Sequence, residues 1–196
     1  MQETNELEMI AQIRSKVKGT LEPTGENLFL VWGYPTAIVL VLEFLGVMLW
    51  HARWYEWLWV AIPLVGGPLM AYFVWKDYLR TGHRTLDANT AMQMWMFVGF
   101  ASCLGGFTLG FSGLFEYCYC AFQGLLVALG CFVTGVICRF RSMKVCGILA
   151  SVVAFASLFF QGDLWPWQLL IAAFVAVIAL IIPGHLLKHN IKNYGI

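Results

Sequence analysis

One carboxylate stands inside a long oily run: Glu43, in the stretch Thr36-Ala-Ile-Val-Leu-Val-Leu-Glu43-Phe-Leu-Gly46. It precedes Trp50 by seven residues, which at helical rise sets it on the order of 10 Å inside the apolar boundary. An ionised carboxylate at that depth costs about 2.5 kcal/mol or more. Glu43 is therefore expected to be neutral and hydrogen-bonded across a helix contact, or to face a water-filled cavity. The first environment makes it structural, and the second makes it a protonatable site for transport. Counting inward from the ends of the other apolar runs brings Gln123, Ser102 and Ser151 close to the same depth. These four residues define an expected intramembrane polar layer, and helix rotation decides whether they converge.

The second apolar run contains Ile62-Pro63-Leu-Val-Gly66-Gly67-Pro68-Leu. Each proline removes a backbone donor and crowds the preceding turn, so a kink or local unwinding is expected around Pro63, Gly66, Gly67 and Pro68. Broken helices of this kind expose backbone carbonyls to ions in transporters, although neighbouring helices more often satisfy them. His185 and His189 stand four apart near the end of the last run, on one helical face, with His83 as a potential third ligand. Histidines near a helix C-terminus are also favoured by the dipole, and neither carboxylate nor cysteine accompanies this pair at ligand spacing.

The six cysteines fall mostly inside apolar runs, where a thiol acts as a small hydrophobe, so neither a disulfide framework nor a zinc ribbon follows. Glu116-Tyr-Cys118-Tyr-Cys120 and His51 lack a second cysteine pair to complete a metal site. There is no Walker lysine, glycine-rich dinucleotide turn, His-Glu-x-x-His or Gly-x-Ser-x-Gly. No catalytic residue and no cofactor is expected.

The elements that must position these residues are dictated by composition. Of 196 residues, 60% are hydrophobic and 12% charged, against roughly half and a quarter in soluble domains. A net charge of +1 provides no basic field for nucleic acid. Apolar runs at Leu28–Trp50, Tyr55–Trp75, Ala91–Phe111, Phe115–Cys138, Met143–Phe160 and Leu164–Leu187 are each long enough to span a hydrocarbon core of about 30 Å. They lack the alternation of a β-barrel strand. The expected fold is all-α, a polytopic membrane bundle of six transmembrane helices arranged as three hairpins. The domain plan is a cytoplasmic helix and linker over 1–27, the membrane domain over 28–187 and a cytoplasmic tail over 188–196.

Eleven of the twelve lysines and arginines lie before the first span, in the second and fourth loops, or after the last span; the exception is Arg53. Basic residues are retained in the cytoplasm, so both termini are expected there. Trp32, Trp75 and Trp95 lie near the cytoplasmic ends, and Trp50, Trp54, Trp57, Trp165 and Trp167 near the external ones, where indole favours the interface. Gly99, Ser102, Gly105, Gly106 and Gly110, then Gly147 with Ser151, Ala150 with Ala154, and Ala172 with Ala176, are the small residues that allow helices to approach closely.

Residues 6–18 carry Leu7, Ile10, Ile13 and Val17 at near-helical spacing, with Asn5 and Glu8 as a capping box and Gly19 as a stop. A short amphipathic helix is expected, followed by a linker containing Pro23 and Gly25. Five acids within the first 27 residues argue against a cleaved signal peptide. This helix, leading into Phe29-Leu-Val-Trp32-Gly33-Tyr34, resembles the start of a family of small polytopic bacterial membrane proteins. The resemblance covers about the first 45 residues. It implies a multi-spanning protein of the bacterial inner membrane, and no activity, ligand or catalytic residue.

The expected function is non-enzymatic, structural or regulatory, with the lipid bilayer as surroundings, a protein partner held through the N-terminal helix, and self-association as a further option. One alternative is a small transporter or channel using Glu43 beside a kinked second helix. Another is a metal- or haem-binding membrane enzyme using the histidines.

Overall fold

The computed structural model describes residues 25–50, 58–81 and 86–194. The expected N-terminal helix over 6–18 and His83 lie outside the described residues. The described elements are α1 (Gly25–Trp50), α2 (Ala61–Thr81), α3 (Leu86–Ser112), α4 (Phe115–Ile137), α5 (Arg141–Ala156), α6 (Pro166–Ala176) and α7 (Ile182–Tyr194). A π-helical turn, Val177–Ile181, joins α6 to α7 into one span. The fold is an all-α bundle with six helices long and apolar enough to cross a membrane, and no strand occurs among the described residues. Helices satisfy every interior peptide group within the segment, which lipid requires.

Local chemistry sets the boundaries. Gly113 (φ 71°) turns the chain between α3 and α4, and the Leu114 carbonyl accepts from Tyr117 and Cys118 to start α4. Between α4 and α5, Phe140 N–H donates to Gly135 O at 2.9 Å and Arg139 N–H to Val136 O at 3.2 Å, a Schellman closure. Arg139 takes the left-handed position there (φ 53°) that glycine ordinarily fills. Pro166 opens α6 in its first turn, where no donor is needed. Pro183 cannot donate to the carbonyl four residues earlier, and just before it the ladder slips to the π register, with Ile182 N–H on Val177 O.

Of the two expected forms of the second helix, local unwinding does not occur. The helix is continuous over Ala61–Thr81, through Gly66 and Gly67. Pro63 falls in the first turn, so only Pro68 interrupts the interior ladder. A change of hydrogen-bond register occurs instead in span six, at the π turn Val177–Ile181.

The hairpin neighbours pack together, but the closest associations are α4 with α5 and α1 with α6, so the hairpins are stitched by contacts between them. On α4, Gly124, Ala128, Cys131 and Gly135 form a ridge, and Met143, Gly147, Ala150 and Ala154 on α5 fit against it. A Cβ on Gly147 would lie 2.8 Å from Phe132 N and 2.9 Å from Ala128 O. Span six presents Ala173, Ala176 and Ala179 to the core, whereas Ala172 is only half-buried. α2 rests mainly on α1, and α3 mainly on α4. Their spans are 11% and 6% buried, against 28% to 44% for the other four, so they are peripheral.

Candidate functional site

Glu43 faces inward from α1 and is 3% exposed. The turns around it, at Leu40, Phe44 and Val47, pack with Leu169 and Ala173 of α6, with Trp59 and Trp165, and with Cys120 of α4. Glu43 lies within electrostatic range of Tyr119 and Cys120 of α4. The Tyr119 ring meets Trp59 edge-to-face at 5.5 Å, and its phenol hydrogen-bonds with the Gln123 side chain one turn on. Gln123 Nε2 in turn donates to the Ser102 carbonyl on α3 at 3.1 Å. A polar seam of carboxyl, thiol, phenol and amide thus runs from α1 through α4 to α3, enclosed by apolar and aromatic side chains.

Glu43, Gln123 and Ser102 belong to this seam, with Ser102 contributing its carbonyl as the Gln123 acceptor. Ser151 does not join it. Its hydroxyl donates to Gly147 O at 2.9 Å within α5, and it lines a groove on the membrane-facing side of α4 and α5. Helix rotation turns Ser151 away from the seam.

Of the proline and glycine residues of α2, only Gly66 is buried in a helix contact, and Pro63 and Pro68 are exposed. Gly66 accommodates the Trp32 ring, where an added Cβ would come within 3.0 Å, while Gly67 faces open space. Trp32 Nε1 donates to Met70 Sδ at 3.4 Å on the next turn. Trp95 donates from Nε1 to Thr134 Oγ1 at 3.0 Å, packs on Gly130 and meets Phe29 edge-to-face. Both indoles spend their N–H groups on neighbouring helices rather than at a wet interface, because small residues opposite them leave room for the ring.

His185 Nε2 hydrogen-bonds with the Tyr34 hydroxyl at 2.7 Å, joining α7 to α1. His189 is exposed one turn further along. No group of three or more histidine, cysteine or acidic residues converges as a metal site among the described residues. Beside these contacts the two helices nearly touch: a Cβ on Gly33 would meet Ile181 Cγ1 at 2.8 Å, and one on Gly184 would meet Leu30.

Sequence reasoning missed Tyr119, Cys120, Thr134 and Gln168. The first two were passed over as part of an external cysteine cluster. Gln168 is 2% exposed and donates to the Phe160 carbonyl, tying the α5–α6 connection to the bundle. It follows Trp167 in a stretch whose composition does not mark it as buried, and only packing reveals its burial. The seam places one carboxyl, Glu43, near one thiol, Cys120, and one phenol, Tyr119. Its chemistry is hydrogen bonding between helices and the holding of a proton. No protein-family model, curated protein or solved structure matches the chain.

Proposed function

We propose that this chain is a non-enzymatic structural or regulatory protein of the bacterial inner membrane, with both termini cytoplasmic, whose bundle presents the N-terminal segment to a protein partner. The observation that carries this reading is the position of Glu43: a nearly inaccessible carboxyl inside a helix contact, surrounded by Leu40, Trp59, Cys120 and Leu169. A carboxyl in such a contact joins helices, and transport chemistry would instead require a path to it from one face. The orientation is supported by the eleven basic residues on alternate connections and at the two ends.

Purified protein in proteoliposomes should carry no proton or cation flux above that of empty vesicles. Deleting residues 1–18 should release a partner that co-purifies with the full chain. Flux that disappears in Glu43→Gln would replace this reading with a transporter. Cysteine labelling from the periplasm should spare both ends of the chain.

A further inference from the structure

The face of α4 and α5 turned away from the polar seam carries a groove of about 400 Å³. Leu125, Leu129 and Phe132 form one wall, and Ile148, Ser151 and Phe155 the other. It opens toward the membrane, with Leu129, Ile148 and Phe155 each more than half exposed. From Ile148 to Phe155 the wall rises about 10 Å, most of the depth of one leaflet.

One end of this groove is basic. Arg141, Lys144, Ile148, Ser151 and Phe155 are three or four residues apart, so the two cations continue the line of the α5 wall. Lys144 lays its stem across Gly135, where an added Cβ would lie 3.1 Å from its Cγ. The stem thus stays in contact with α4, from which a lysine ammonium can reach the headgroup level. Arg139 and Arg141 are exposed at the same end. No acidic residue occurs between Glu116 and Asp163, and Asp163 lies beyond the opposite end of α5, so the charge has no local counterpart in sequence. Arg139 also holds a left-handed backbone position at which glycine would be relaxed.

An apolar channel most of one leaflet deep, with three cations beyond one end, matches one ligand in both parts. We propose that the α4–α5 groove binds an anionic phospholipid, with an acyl chain along Leu129, Ile148 and Phe155 and the phosphate held by Arg139, Arg141 and Lys144. Guanidinium groups suit phosphate oxygens, and basic pockets between helices recognise anionic headgroups.

Native mass spectrometry of the full chain in a non-ionic detergent, with equal amounts of dioleoylphosphatidylglycerol and dioleoylphosphatidylcholine, tests this. The anionic lipid should be retained about tenfold or more in preference, as expected for several cations near a charged headgroup. Combining Arg139→Gln, Arg141→Gln and Lys144→Gln should abolish the preference, and Ser151→Phe should weaken retention with all three cations present. Lys76→Gln on α2 should leave it unchanged. Circular dichroism in the zwitterionic lipid checks folding, and should the triple variant misfold, Arg141→Gln and Lys144→Gln singly must each reduce the preference. Equal retention of the two lipids would overturn the proposal, as would a preference that survives loss of the cations. So would normal retention in Ser151→Phe, equal competition by glycerol phosphate, or a dimer that Ser151→Phe dissociates, since these point to charge alone, a free phosphate site or a second copy.

Discussion

Glu43→Gln keeps the shape of the side chain and its capacity to hydrogen-bond, and places no charge in the contact between α1, α4 and α6. Its unfolding midpoint in detergent should therefore stay within a degree or two of the parent, about 0.5 kcal/mol. Glu43→Lys adds a charge to the same 3%-exposed site and should cost about 3 kcal/mol. If the glutamine variant proves as damaging as the lysine one, the carboxyl is acting as a buried anion. A second residue-level test concerns Trp95. Thr134→Val removes the acceptor of its indole N–H while nearly preserving volume, and should cost roughly 1 kcal/mol by the same unfolding measurement. Depth was readable for Glu43, Gln123 and Ser102, because residue number converts to height along a helix. Rotation was not, which is why Ser151 was grouped with them.

Between elements, glycine contacts separate positions that sequence treats alike. Gly99 and Gly147 both belong to runs of small residues, yet an added Cβ at Gly99 meets nothing within 4 Å, whereas at Gly147 it meets the α4 backbone. Gly147→Ala should force α4 and α5 apart and cost about 1–3 kcal/mol, while Gly99→Ala should be neutral within about 0.5 kcal/mol. Thermal unfolding of the two variants in one detergent is sufficient to compare them. The spans themselves were readable because twenty-residue apolar runs leave lipid-embedded backbone no other option. Their ends were less so: α3 is already helical at Leu86, ahead of the apolar run that starts at Ala91, since a helix continues through polar residues whose peptide groups remain bonded. The ridge on α4 was hidden because Gly124, Ala128, Cys131 and Gly135 are spaced unevenly and one member is a thiol. Proline content drew attention to α2, where Pro63 sits in the first turn and the helix stays continuous through Pro68, whereas Pro183 in span six accompanies the π turn.

The molecule as a whole has a firm part and a loose part. α1, α4, α5 and the π-broken sixth span share the buried clusters, including Ala128, Ala150, Ala154 and Ala179 at one level and Leu40, Leu169 and Ala173 at another. α2 and α3 each lean on one neighbour and turn Leu64, Trp75, Phe97, Phe100 and Phe107 outward. Lipid tails are as apolar as these side chains, so their exposure carries no hydrophobic penalty in a bilayer, and close packing is the main force that holds a helix to its neighbours. The two peripheral helices therefore have little to resist local opening once the bilayer is replaced by a thin detergent layer. Hydrogen–deuterium exchange in detergent should label the amides of α2 and α3 well before those of α4 and α5, and Gly147→Ala should accelerate exchange in α4 and α5 while leaving α2 unchanged. Uniform exchange across all six spans would mean that the bundle opens as one unit, and that contacts absent from the described residues, such as those of a partner or a second copy, brace α2 and α3.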